Sequence, residues 1–116
     1  MYQINFEEPV HAHFIGIGGI SMSGLAEILL KEGFAISGSD DQESALTQHL
    51  ANLGAKIYYG QKAVNLQEEI PTFVVYTAAV KKDNPEYQEA VKQNLPLLSR
   101  ADLLGQLMAN YPISTG

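Results

Sequence analysis

Apolar runs alternate with amphipathic stretches along the whole chain. Residues 11–16 (HAHFIG) read as a short strand ending in glycine. From residue 19 to 31, Ile20, Leu25, Ile28 and Leu29 recur at helical spacing, and Gly33 follows as a helix stop. Residues 34–37 predict a second strand. Residues 43–53 predict a second helix with Leu46, Leu50 and Leu53 on one face, and residues 55–59 a third strand. Residues 64–69 fit a loop or one helical turn. The run TFVVYT at 72–77 is unbroken β-branched and aromatic sequence, which suits a strand covered on both faces. Asn84 and Pro85 then open a third helix as N-cap and first helical residue. Residues 95–98 predict a brief strand, and Ser99 caps a last helix carrying Leu103, Leu104, Leu107 and Met108. This order predicts an α/β fold: an open, mostly parallel sheet with helices on both faces. Residues 111–116 break the last helix at Pro112 and turn apolar again, as at the cut end of a longer protein.

The chain has 116 residues, 46% of them hydrophobic, enough for one domain with its own core. Thirteen acidic against seven basic residues give a charge of −6, which argues against a nucleic-acid partner. Zero cysteines removes disulfides, thiolate metal sites and cysteine nucleophiles together. No apolar stretch approaches the ~20 residues needed to span a membrane, and the first residues lack a signal pattern. The expectation is a soluble, cytoplasmic, single-domain piece without a membrane partner.

The run GIGGISMSG at 16–24 lies between the first strand and the first helix, where a phosphate loop works. Glycines let backbone approach an anion, and free N–H groups and the helix dipole face it. The segment holds no lysine or arginine, so backbone amides would do the binding. Against the GxGxxG fingerprint, Ser21 stands at the third glycine, and Gly24 could supply the helix–strand relief that this glycine gives. Asp40, 24 residues after Gly16, fits two roles: a partner for ribose hydroxyls, or an N-cap of the second helix shared with Asp41.

His11 and His13 share a strand face, but no third ligand accompanies them, and they read as fixed strand histidines. The segment from Thr77 to Val80 leaves a strand at its carboxyl end, where open α/β sheets bind ligands. Tyr58, Tyr59 and Gln61 follow the third strand and could border such a crevice, though tyrosines there usually pack. Arg100, the only arginine, reads as a surface or interface salt bridge. No GxxxxGK[ST] loop and no nucleophile–base pair occur. The chain reads as a binding domain.

The residues 13–27 (HFIGIGGISMSGLAE) resemble the opening motif of the Mur ligases. Three further segments agree in order and spacing: SGSD at 37–40, TAAV at 77–80 with DNPE at 83–86, and LSRADLL at 98–104. In that family a Rossmann-like N-terminal domain holds the UDP part of a sugar substrate. A central domain binds ATP and a C-terminal domain recruits the amino acid. The resemblance implies that residues 1–116 are the first of these, with the other two as partners in the same polypeptide. The Gly18-Gly19 pair favours the branch that joins L-alanine to UDP-N-acetylmuramate in peptidoglycan precursor synthesis. There ATP phosphorylates the lactyl carboxylate, and the alanine amine displaces that phosphate through a tetrahedral intermediate.

Carried over by position, the resemblance implies UDP contacts from Gly16, Ile17, Gly18, Gly19, Ile20, Ser21, Met22, Ser39, Asp40, Thr77, Ala78 and Ala79. It implies no catalytic residue or metal ligand in this chain; ATP and Mg2+ would serve the full-length enzyme, and these residues alone would not turn over. Two positions depart from the family. Ser21 stands where glycine is common, and Gln61 where histidine is. A nicotinamide-dependent oxidoreductase domain, which would carry glycine or alanine at position 21, and a stand-alone nucleotide sensor are the competing readings.

Overall fold

A computed structural model describes residues 1–110; the expected break at Pro112 and the new apolar run lie outside the described residues. The elements are β1 (His11–Ile15), α1 (Ile20–Lys31), β2 (Ala35–Asp40), α2 (Ala45–Asn52), β3 (Lys56–Tyr59), a short 3-10 turn (Ala63–Leu66), β4 (Phe73–Tyr76), α3 (Pro85–Lys92), β5 (Leu97–Ser99) and α4 (Arg100–Asn110). The strands form one sheet in the order β3-β2-β1-β4-β5, and every pairing is parallel.

Side chains alternate across this sheet, as a period of two requires. Ala12 and Phe14 of β1, with Phe73 and Val75 of β4, face the larger core beneath α1, α2 and α4. Ile15 and Val74 face the opposite way, towards Leu66 of the 3-10 turn and Ala90 of α3. Phe73, Val74 and Val75 are all fully buried, so β4 is covered on both faces, as its unbroken apolar run predicts.

Most elements shift by a residue or two from the sequence reading, and three of the differences have a clear physical cause. β2 runs on to Asp40, because Ser37, Gly38 and Ser39 are paired on both sides, with β1 and with β3. Serine and glycine have weak strand propensity, and ladder pairing overrides it. β5 starts at Leu97, since Asn94 takes a left-handed φ of 58° and turns the chain before Pro96. The cap of α2 is Ser44, not Asp40 or Asp41: its hydroxyl accepts from the Thr47 amide while the Thr47 hydroxyl accepts from the Ser44 amide.

The expected caps of α3 and α4 are in place. Asn84 Oδ1 accepts from the amides of Glu86 and Tyr87. Ser99 and Asp102 exchange backbone-to-side-chain bonds. Before β1, an arm outside any element covers the sheet: Ile4 and Phe6 are buried, and Gln106 of α4 clamps the Ile4 amide and the Tyr2 carbonyl, both at 2.8 Å.

Candidate functional site

The C-terminal ends of β1, β2, β4 and β5 open into a cleft of about 570 Å³, within the range of small-ligand pockets. Its centre is the turn from β1 into α1. Gly16 has φ +81°, a left-handed conformation that glycine adopts without strain. Most of the turn's amides are already used. Those of Gly16 and Ile17 donate to the Ser39 carbonyl at 2.9 Å, that of Gly19 to the Gly16 carbonyl at 3.2 Å, and that of Gly18 to Asp40 Oδ2 at 2.8 Å. The amides of Ile20, Ser21 and Met22, in the first turn of α1, have no acceptor among the described residues. An anion therefore meets three free N–H groups and the positive end of the helix dipole, one residue further along than the glycines themselves.

Asp40 closes the β2 side. One carboxylate oxygen accepts from Gly18 and the other from the Asp41 amide, each at 2.8 Å. The acid is half-buried and still lines the cleft, so its remaining lone pairs are available to hydroxyl donors. On the far wall stand Thr77, Ala79 and Val80 after β4, then Lys81 and Asp83. Asn84 Nδ2 donates to Gln61 Oε1 and ties this wall to the segment after β3. Arg100 completes the rim at β5.

Below the cleft lies a buried polar centre. Glu86 is fully buried and accepts four hydrogen bonds, from His13 Nε2 (2.7 Å), Ser39 Oγ (2.8 Å), Asn65 Nδ2 (2.6 Å) and the Lys62 amide (3.3 Å). His13 Nδ1 and His11 Nε2 each lie 2.8 Å from Ser37 Oγ. Burial, and then the neighbouring His13, push the His11 imidazole below its ordinary range and favour its neutral form. Both histidines are thus held by one strand serine. The centre fixes the segments that carry Gln61 and Asn84, both of which line the cleft.

Of the residues singled out in the sequence, Gly16, Gly19, Ser21, Met22, Asp40, Thr77 and Ala79 come together on the cleft wall. The others are placed differently. Ile17 is fully buried and fills the space over Gly38, where a Cβ would come within 2.5 Å of its Cδ1. The Ser39 hydroxyl is turned inward to Glu86. Gly18 has its amide on Asp40, Ile20 projects outward with 86% exposure, and Ala78 is exposed beyond the wall. Gly24 does not replace the third fingerprint glycine, since a Cβ there would meet nothing within 4 Å.

Sequence reasoning passed over Lys81, Asp83, Asn84 and Arg100 as cleft residues. Arg100 carried a usable signal: a lone arginine directly after a strand, at the sheet edge where ligands bind. Glu86 carried almost none, because an acid in a first helical turn is ordinary.

The model of the Mur ligase family, catalytic domain, matches residues 11–112. The chain is 57% identical over 116 residues to UDP-N-acetylmuramate–L-alanine ligase of Lachnoclostridium phytofermentans, covering 100% of this chain and 24% of that protein. It is 59% identical over 114 residues to the ligase of the same name from Agathobacter rectalis, covering 98% and 25%. The chain thus spans about a quarter of the length of these relatives. Among solved structures it is similar to UDP-N-acetylmuramate-alanine ligase of Thermotoga maritima, with a TM-score of 0.84 and 32% identity over 89% of this chain and 24% of that one. The glycine turn, the parallel sheet and these likenesses agree, and the chain belongs to the Mur ligase family.

Proposed function

We propose that the cleft holds UDP-N-acetylmuramate, and that residues 1–116 are the UDP-sugar-binding unit of a ligase that joins L-alanine to it. The observation that carries this reading is the set of three free amides at Ile20, Ser21 and Met22 in the first turn of α1, where Ser21 and Met22 line the cleft that Asp40 bounds. Backbone amides at a helix start suit a phosphate. Ser21 lines the same cleft, and its hydroxyl is a donor where a glycine would offer none. Asp40 suits the hydroxyls or N–H of the nucleoside and would repel a 2′-phosphate. These residues bind and orient the sugar nucleotide. ATP and Mg2+ find no cradle in them, since the 116 residues hold no GxxxxGK[ST] run; in this reading the ATP-binding and amino-acid-recruiting domains are partners in the same longer polypeptide.

Calorimetric titration of the 116-residue chain tests the reading. Uridine diphosphate and UDP-N-acetylmuramate are expected to bind and NAD not to. Heat from NAD with no response to uridine nucleotides would return the cleft to the dinucleotide class.

The same titration checks Asp40. Asp40→Ala removes one charged acceptor and frees the Gly18 amide, so UDP affinity is expected to fall about 10- to 30-fold, or roughly 1.4–2 kcal/mol. Asp40→Asn keeps an acceptor for Gly18 and should lose less. Parent-like affinity in a folded Asp40→Ala protein would take Asp40 out of ligand binding.

A further inference from the structure

Arg100 is the only arginine in the chain and the first residue of α4. It is half-buried and lines the cleft, yet its guanidinium has no carboxylate within 4.0 Å and no hydrogen bond among the described residues. The nearest acid in sequence, Asp102, is occupied by the Ser99 amide in the cap of α4. An arginine with five donors, partly withdrawn from water and facing a cleft without a partner, is arranged for an anion that arrives from outside.

The cleft needs such a cation. Its charged lining is three acids, Asp40, Asp41 and Asp83, against two bases, Lys81 and Arg100. The three free amides of α1 can surround one phosphate, and the helix dipole supplies only about half a positive charge there. A second phosphate needs its own counter-charge. Asp40 stands at the β2 end and Arg100 at the β5 end, with the free amides of β1–α1 between them. An extended ligand laid across the sheet edge passes its nucleoside, first phosphate and second phosphate in that order.

Resting on the UDP-binding reading, we infer that Arg100 is the residue that selects a nucleoside diphosphate over a monophosphate. Its guanidinium takes the phosphate that the α1 amides do not reach, in the two-pronged geometry that arginine makes with phosphate oxygens.

The test titrates UMP, UDP and UDP-N-acetylmuramate into the parent chain, Arg100→Gln and Arg100→Lys. Arg100→Gln is expected to weaken UDP and UDP-N-acetylmuramate alike by about 10- to 100-fold, and UMP by less than about 3-fold. Arg100→Lys, which keeps the charge but not the fork, should fall between. Because the guanidinium bonds nothing within the described residues, the thermal midpoints of all three proteins are expected to coincide. An equal loss for UMP and UDP overturns the inference, since the arginine would then not distinguish the second phosphate. A loss confined to UDP-N-acetylmuramate also overturns it and moves Arg100 to the lactyl carboxylate. A parent that binds UDP beside an unaffected Arg100→Gln overturns this inference alone, whereas a parent that binds no uridine nucleotide overturns the proposed function first.

Discussion

Gly18→Val is expected to lower UDP affinity by at least about 100-fold, a loss near 2.7 kcal/mol. The route is indirect, because Gly18 is not itself on the cleft wall. A Cβ at this position would lie 2.5 Å from Asp40 Oδ2 and 3.1 Å from Thr47 Cγ2. The threonine is fully buried and bonded within the cap of α2, so it cannot give way. The carboxylate must move, and with it goes the charge-assisted bond to the Gly18 amide, itself worth about 1.5–3 kcal/mol. A displaced Asp40 that enters the cleft sets a negative charge against the incoming phosphates. One substitution therefore removes the nucleoside partner, loosens the turn and repels the anion. Gly18→Ala meets the same first obstacle and is expected to fall between parent and valine. Calorimetry with UDP on proteins of unchanged far-ultraviolet circular dichroism measures it. Should folded Gly18→Val bind as the parent does, the glycine turn is only chain punctuation and the phosphate sits elsewhere.

The parallel sheet was legible because its strands are short apolar runs and its helices repeat at 3.6 residues. Val74 and Val75 announce a strand buried on both faces, and Asn84-Pro85 announces a helix start, each through local chemistry. The site was legible as a place but not as a set of contacts. Sequence shows glycines at 16, 18 and 19, but which amides remain free depends on Ser39 and Asp40, more than twenty residues away. Those bonds leave the amides of Ile20, Ser21 and Met22 free instead of those of the glycines, and the proposed function puts the phosphate there. The arm before β1 was missed because Tyr2, Ile4 and Phe6 alternate like a strand but lie outside any strand of the described residues, with Tyr2 against Phe73 and Phe6 against Phe34. In sequence Glu86 looks like an ordinary acid of a first helical turn, and Ser39 reads as a UDP contact. Only the crossing of β2, the 3-10 turn and α3 at one point buries them together.

That crossing makes Glu86 a position of large expected effect on stability. Glu86→Ala is expected to cost about 3–5 kcal/mol, because it leaves His13, Ser39, Asn65 and the Lys62 amide without their shared acceptor in a site closed to water. A small domain has only about 5–15 kcal/mol of stability in total, so a fall in Tm of more than about 10 °C should accompany the change. Glu86→Gln separates the two causes. Its amide oxygen can still accept from Asn65 and Lys62, while its NH2 group faces His13 and Ser39. The histidine can present a bare nitrogen by changing tautomer, and the serine hydroxyl can rotate to accept. Glutamine is therefore expected to lose only about 1–2 kcal/mol, the difference between charged and neutral hydrogen bonds. Urea denaturation of the two variants measures this gap. Equal losses would mean that the carboxylate's charge at the start of α3 holds the centre together, and that hydrogen-bond pairing matters little. Unchanged midpoints in both would show the four donors satisfied by water, and the centre open rather than sealed beneath the cleft.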